Sequence, residues 1–196
     1  MQQAARSVGY SRTVISELMT PLHANFEGRI NAGTLLSLMD KVAFTCASRH
    51  AGNYCVTVSI EEVEFVYPVK IGDLVIVKGS INYVGHTSMI VGVRVDAQDI
   101  RTGEIFHTNS SYFHMVAKNA NGEITAVPPL LLENHDDVRR FFEGMLRKRA
   151  RNNMRNELKR QFAKYDFEKI LESLRRERCQ IGFDISAEEK SDNILL

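Results

Sequence analysis

The stretch from Ala32 to His50 is apolar around most of its circumference, and that constrains the fold more than any other feature of the chain. At 3.6 residues per turn it predicts a helix of about five turns. A helix without a broad polar face has to be covered by the rest of the molecule rather than lie on its surface. Arg49 and His50 suit the negative end of such a helix, and Gly52 supplies a stop.

The residues after the helix have the wrong period for more helix. Tyr54–Val66 is rich in β-branched and aromatic residues and ends at Pro68. Leu74–Val84 alternates, with Val75, Val77, Ile81 and Tyr83 on one face, and Thr87–Asp99 alternates through Met89, Val91, Val93 and Val95. Ile105–Ala117 is a fourth long run. Lys70-Ile71-Gly72-Asp73, Gly85-His86, Arg101-Thr102-Gly103 and Asn119-Ala120-Asn121-Gly122 carry the turns between them. Thr13–Met19 predicts one more strand ahead of the helix, stopped by Pro21. Strands longer than the usual five or six residues require a strongly curved sheet. The expected fold is therefore α+β: an antiparallel sheet wrapped around one long central helix.

Three segments are expected. Residues 1–12 are polar and small and read as a flexible arm. Residues 13–135 form the sheet-and-helix domain. Residues 136–196 form a charged helical extension with a loose tail. Residues 136–178 lack proline, and Val138, Phe141, Phe142, Met145, Leu146, Leu158, Phe162, Tyr165, Ile170 and Leu174 recur at spacings of three and four. Docking through Phe141, Phe142, Met145 and Leu146 is the consequence of that spacing. Charge is segregated: Arg139–Arg160 carries +7, against −4 for residues 1–138 and +1 for the whole chain.

Cys46, Cys55 and Cys179 are odd in number and show no CxxC spacing, which gives neither a disulfide framework nor a zinc site. The six histidines have no metal-type spacing. No apolar run approaches membrane-spanning length, and no apolar segment comes after the first basic residues as in a signal peptide. A cytoplasmic chain with no membrane partner is expected.

Asp40 is the residue to question. Its helical neighbours at three and four residues are Leu36, Ser37, Ala43 and Phe44. A carboxylate among them is costly to bury without partners, and such acids favour functional sites; the plain alternative is an acid at the helix edge that reaches solvent or pairs with Lys41 or Arg49. Asn31-Ala32-Gly33-Thr34 puts small residues at the helix N-terminus, where free N–H groups can hold a developing oxyanion. Ordinary helix initiation explains the same residues. Asn25 is a turn former or an orienting amide. No GxSxG elbow, Gly-rich phosphate loop or GxGxxG occurs.

The residues from about Val14 to Leu130 resemble the acyl-CoA thioesterases of the hotdog fold, in the branch of the bacterial YciA-type and eukaryotic cytosolic acyl-CoA hydrolases. The landmarks are Leu22-His23-Ala24-Asn25-Phe26-Glu27-Gly28, Ala32-Gly33-Thr34-Leu35-Leu36-Ser37-Leu38-Met39-Asp40, Val56-Thr57-Val58-Ser59, Phe65-Val66-Tyr67-Pro68, Gly85-His86-Thr87-Ser88-Met89 and Val127-Pro128-Pro129-Leu130. The chain departs from the family at Ala32, where the family has the first of two glycines.

The resemblance implies that Asp40 pairs with Asn25 of a neighbouring subunit. Asp40 then acts as general base or nucleophile, and the N–H groups near Gly33 and Thr34 with the Asn25 amide hold the carbonyl oxygen. It further implies that Thr57, Ser59, Thr87 and Ser88 line the CoA channel, and that homodimers assemble into a hexamer. No metal or other cofactor is expected, CoA being part of the substrate. Two other readings use the same residues: a non-catalytic acyl-CoA-binding hotdog protein, and nucleic-acid binding through the basic segment Arg139–Arg160. A solvated helical face explains the basic segment better than nucleic acid does.

Overall fold

The structure, a computed structural model, describes residues 3–164 and 166–182. Its elements run β1 (Arg6–Ser7), α1 (Val8–Ser11), β2 (Thr13–Leu18), a 3-10 turn (Pro21–His23), α2 (Ala32–Ala51), β3 (Tyr54–Ile60), β4 (Asp73–Val84), β5 (Ser88–Asp99), β6 (Ile105–Lys118), β7 (Leu130–Leu131), α3 (His135–Phe162) and α4 (Phe167–Leu174). Five strands form one antiparallel sheet in the order β2-β4-β5-β6-β3. The long strands β4, β5 and β6 are its middle, and β2 and β3 are its edges.

The alternation does what period-two patterns require. Val75, Val77, Ile81, Met89, Val91, Val93, Val95, Phe113 and Met115 are buried against α2 residues Leu38, Met39, Val42, Ala43 and Cys46 in one core. Helix and sheet approach so closely that a Cβ at Gly79 would stand 2.5 Å from Val42 Cγ1. Gly52 ends α2 in the left-handed region at φ 66°, its N–H bonded to Ser48 O. One stripe of the helix stays open in the single chain: Gly33, Ser37, Lys41 and Phe44 are exposed, with Asp40 half-buried at its border. The all-round apolar helix of the sequence is thus covered on three sides.

Three expectations need correction. Residues 6–11 are not a loose arm: Arg6 and Ser7 pair with Leu130 and Leu131, and the Arg6 guanidinium donates to the carbonyls of Arg49 and His50 at the C-terminus of α2. β3 stops at Ile60, not Val66. Beyond it Glu61 N and Val66 N still bond β6 carbonyls, without forming a continuous strand. The boundary expected at 136 moves: the compact unit that holds the sheet reaches Arg149 and takes in the first half of α3.

In that unit α3 lies on the sheet face opposite α2. Phe141 meets Tyr83 at 5.0 Å between ring centroids. The Arg147 guanidinium lies 3.7 Å from the Tyr112 ring centroid and 2.8 Å from Glu61 Oε2. Gly144 is buried, and Ile90 is buried on the same sheet face. The docking face is therefore Phe141, Gly144, Arg147 and Lys148, whereas Phe142 and Leu146 are exposed. The second unit, from Ala150, holds the rest of α3 and α4, with Met154, Leu158 and Phe167 exposed. Tyr165 and the tail from 183 onward lie outside the described residues. Among the described residues no helix is long and apolar enough to cross a membrane, and no His, Cys, Asp or Glu cluster could hold a metal.

Candidate active site

Asp40 stands in the third turn of α2 and reaches β3, the first strand after the helix. There Thr57 Oγ1 donates to Asp40 Oδ1 at 2.6 Å, while its oxygen also lies 3.3 Å from Met115 Sδ. Asp40 Oδ2 has no partner among the described residues, and no cation among them neutralises the carboxylate. Neither Lys41 nor Arg49 pairs with it: Arg49 instead donates to the carbonyls of Tyr10 and Arg12. One oxygen is anchored and the other open, which is the state of a carboxylate ready to accept a proton or attack.

Asn25 sits in a short hairpin closed by the Ala24–Ile30 bridge. Its Oδ1 accepts from Glu27 N at 3.0 Å and Arg29 N at 3.1 Å, and Gly28 makes the turn at φ 74°. Those bonds fix the carboxamide with Nδ2 pointing away from the loop's own acceptors, and Nδ2 has no partner among the described residues. Phe26 at the hairpin tip and Leu22 beside it are fully exposed or nearly so.

The N-terminus of α2 is open as well. Thr34 N and Leu35 N turn back to Asn31 O, leaving the Ala32 and Gly33 N–H groups without backbone acceptors among the described residues. A Cβ on Gly33 would meet nothing within 4 Å. Glu17, His23, Gly33, Thr34, Ser37 and Lys41 line an open depression of about 370 Å³ there.

Asp40 and these donors do not meet within one chain. Gly33 is seven residues upstream, about 10 Å along the helix axis. A carbonyl carbon within about 3.5 Å of Asp40 cannot have its oxygen within about 3 Å of those N–H groups.

The remaining predicted positions separate. Ser59 comes after a bulge beyond Thr57, and its Oγ is buried without a partner among the described residues. Thr87 and Ser88 lie at the β4–β5 turn, where Gly85 N bonds Ser88 O and Ala117 N bonds Thr87 O. Sequence reasoning misses the direct contact between Thr57 and Asp40. Its only trace in the sequence is a hydroxyl on the first strand after the helix.

The sequence model of the thioesterase superfamily matches residues 27–104. The VdlD protein of Helicobacter pylori is 42% identical over 141 residues, 72% of this chain and 80% of that protein. An apo-hexameric acyl-CoA thioesterase superposes with a TM-score of 0.75 at 32% identity, over 78% of this chain and 97% of its own. An acyl-CoA hydrolase of Staphylococcus aureus, solved with butyryl-CoA, CoA and CoA disulfide, superposes at 0.74 with 26% identity, over 81% and 97%. Structures of that hydrolase with one asparagine, one aspartate or one threonine changed to alanine are known, and the intervals between those positions equal those between Asn25, Asp40 and Thr57. With its curled antiparallel sheet around α2 and this degree of identity, the chain belongs to the thioesterase superfamily and has the hotdog fold.

Proposed function

We propose that the protein hydrolyses acyl-CoA thioesters to free acid and CoA, at sites shared between two subunits, with Asp40 as the catalytic carboxylate. The observation that carries this reading is the state of Asp40: one oxygen held by Thr57, the other free, and no counter-cation among the described residues. In the general-base route Oδ2 takes a proton from water, whose oxygen adds to the thioester carbonyl. The oxyanion then collapses, the C–S bond breaks, and CoA thiolate leaves and takes up the proton. In the nucleophile route Oδ2 attacks the carbonyl, thiolate leaves, and water cleaves the mixed anhydride. In both, the oxyanion is held by the Asn25 amide and the α2 N-terminal N–H groups of the neighbouring subunit, and Ser59, Thr87 and Ser88 line the path of CoA.

The case for a second subunit is supported by the same geometry. Asp40 and the α2 N-terminal N–H groups are too far apart within one chain, and three features stay open that a partner would cover: the α2 stripe with Phe44, the edge strand β3, and the exposed Leu22 and Phe26. A hexamer of three dimers is the assembly we favour, in line with the hexameric structural relative. Residues 13–135 are the catalytic domain of this reading, the helical remainder its extension. Two buried free thiols, Cys46 and Cys55, suit the cytoplasm, and no metal or cofactor takes part.

The test is hydrolysis of a short and a long acyl-CoA by wild type and Asp40→Asn. The variant keeps the Thr57 bond and the fold, and is expected to lose about a hundredfold or more in kcat. A folded variant with wild-type turnover removes Asp40 from the mechanism. A wild type that binds acyl-CoA without cleaving it favours the non-catalytic binding reading.

A further inference from the structure

The β4–β5 turn has a cation beside it that the Asp40 site does not use. Lys148, in the part of α3 that belongs to the sheet body, places Nζ 5.1 Å from the centroid of the Tyr83 ring. It has no carboxylate partner among the described residues. Its neighbour Arg147 is committed to Glu61 and Tyr112. A methyl group on Gly85 would stand 3.0 Å from Lys148 Nζ and 3.1 Å from Ser88 Oγ. An ammonium, a hydroxyl and a backbone without a side chain thus converge on one spot. Beside it Val84, His86, Val127, Pro129, Leu130 and Phe141 border a groove of about 500 Å³.

The chemistry of that spot suits a phosphate. Lysine is a point-charge donor for phosphate oxygens, a hydroxyl adds a directed bond, and a glycine lets the anion approach the main chain. The largely apolar groove suits a flat aromatic base. Placement relative to Asp40 fits too. Ser88 pairs with Val116 and Val116 with Val56, next to Thr57, so the turn is two strand spacings, about 10 Å, from the strand that holds Asp40. An extended pantetheine arm has about the reach of a five-residue peptide, roughly 16 Å. The turn lies at the rim of the sheet, where a ligand can pass from the α2 face to the α3 face.

Building on the acyl-CoA reading, we propose that Lys148, Gly85 and Ser88 hold phosphate groups of CoA and that the adjoining groove takes its adenosine. The helical extension then supplies part of the substrate site.

The test compares acyl-CoA, the 3′-dephospho-CoA thioester and the acyl-pantetheine thioester on wild type, Lys148→Ala and Lys148→Arg. KM for acyl-CoA should rise about tenfold in Lys148→Ala with kcat held within about twofold, and Lys148→Arg should recover most of the loss. The penalty should vanish on acyl-pantetheine. If it also vanishes on the dephospho thioester, Lys148 holds the 3′-phosphate; if it persists there, the diphosphate. An equal penalty on all three thioesters, or none on any, overturns the proposal and leaves the thioesterase reading standing. A wild type that cleaves no thioester overturns that reading instead. Titration calorimetry with CoA itself then decides the phosphate site alone: weaker binding by Lys148→Ala than by wild type supports it, and equal binding by the two, or none by wild type, overturns it.

Discussion

Thr57 Oγ1 donates a 2.6 Å hydrogen bond to Asp40 Oδ1, tying the half-buried carboxylate on the central helix to an edge strand. The bond fixes which oxygen is free. In the proposed reaction that makes Thr57 a positioning residue for Asp40.

Thr57→Val keeps the volume and removes the donor. The carboxylate then rotates out of line with the thioester, and kcat should fall about tenfold with KM little changed. Thr57→Ser should restore most of the rate because it restores the hydroxyl. Steady-state kinetics of the two variants on one acyl-CoA decide the point. An unchanged kcat in Thr57→Val would mean that the bond does not orient Asp40 during turnover.

Asn25 and Asp40 each end in a polar atom unbonded among the described residues, Nδ2 on one and Oδ2 on the other, and no hydrogen bond joins the two. Homodimers of Asn25→Ala or of Asp40→Asn should both be nearly inactive. A heterodimer of the two has one intact site and one doubly broken site, so it should recover about half of the wild-type rate. Isolation through two different affinity tags gives the defined heterodimer. No recovery in a properly exchanged heterodimer would contradict sites shared across subunits.

Much of the fold is legible in the sequence because it depends on period and order. The apolar circumference of Ala32–His50 requires a covered helix, and Met89, Val91, Val93 and Val95 mark the inner face of β5 without tertiary information. The end of β3 is not legible. Glu61–Val66 has strand composition, but the chain leaves regular pairing after Ile60. The docking face of α3 is hidden for a related reason. Spacings of three and four mark two neighbouring stripes, Phe141–Lys148 and Phe142–Leu146, and only the surface of Tyr83 decides between them. The Asp40–Thr57 contact depends on which face of β3 turns toward the helix, which a single hydroxyl in the sequence does not reveal.

His50 gives a prediction for pH. It is fully buried near the end of α2, with Nε2 3.1 Å from Pro128 O and Nδ1 without a partner among the described residues. Burial, assisted by the nearby Arg6 guanidinium, holds its pKa below the ordinary 6.5, against the opposing pull of the Pro128 carbonyl. The folded state keeps the ring neutral, whereas the unfolded chain binds a proton below about pH 6.5. The contribution is therefore complete above that pH and is lost as pH falls toward the folded-state pKa. Tm should drop on acidification from about pH 7.5 to 5.5. The drop should be smaller in His50→Gln, which has no proton to gain. Parallel Tm profiles for the two proteins would show that His50 does not report the transition.

Gly144 tests how α3 sits on the sheet. A Cβ there would stand 2.6 Å from Tyr83 Cβ, a distance that side chains do not tolerate, and the Asn82 backbone lies at 3.6 Å. Neither Tyr83 nor Asn82 can retreat easily, because both belong to β4 in the middle of the sheet. Gly144→Leu should therefore lift the first half of α3, breaking the Phe141–Tyr83 and Arg147–Glu61 contacts together. The expected cost is about 1–3 kcal/mol, as for other overpacked positions, or a Tm lower by several degrees, roughly 3–8 °C. On the neighbouring stripe, Phe142→Ser exchanges an exposed side chain and should shift Tm by less than about 2 °C. Differential scanning calorimetry of both variants gives the ranking. A large loss in Phe142→Ser with a neutral Gly144→Leu would place the other stripe of α3 against a protein surface and refute docking through Phe141, Gly144 and Arg147.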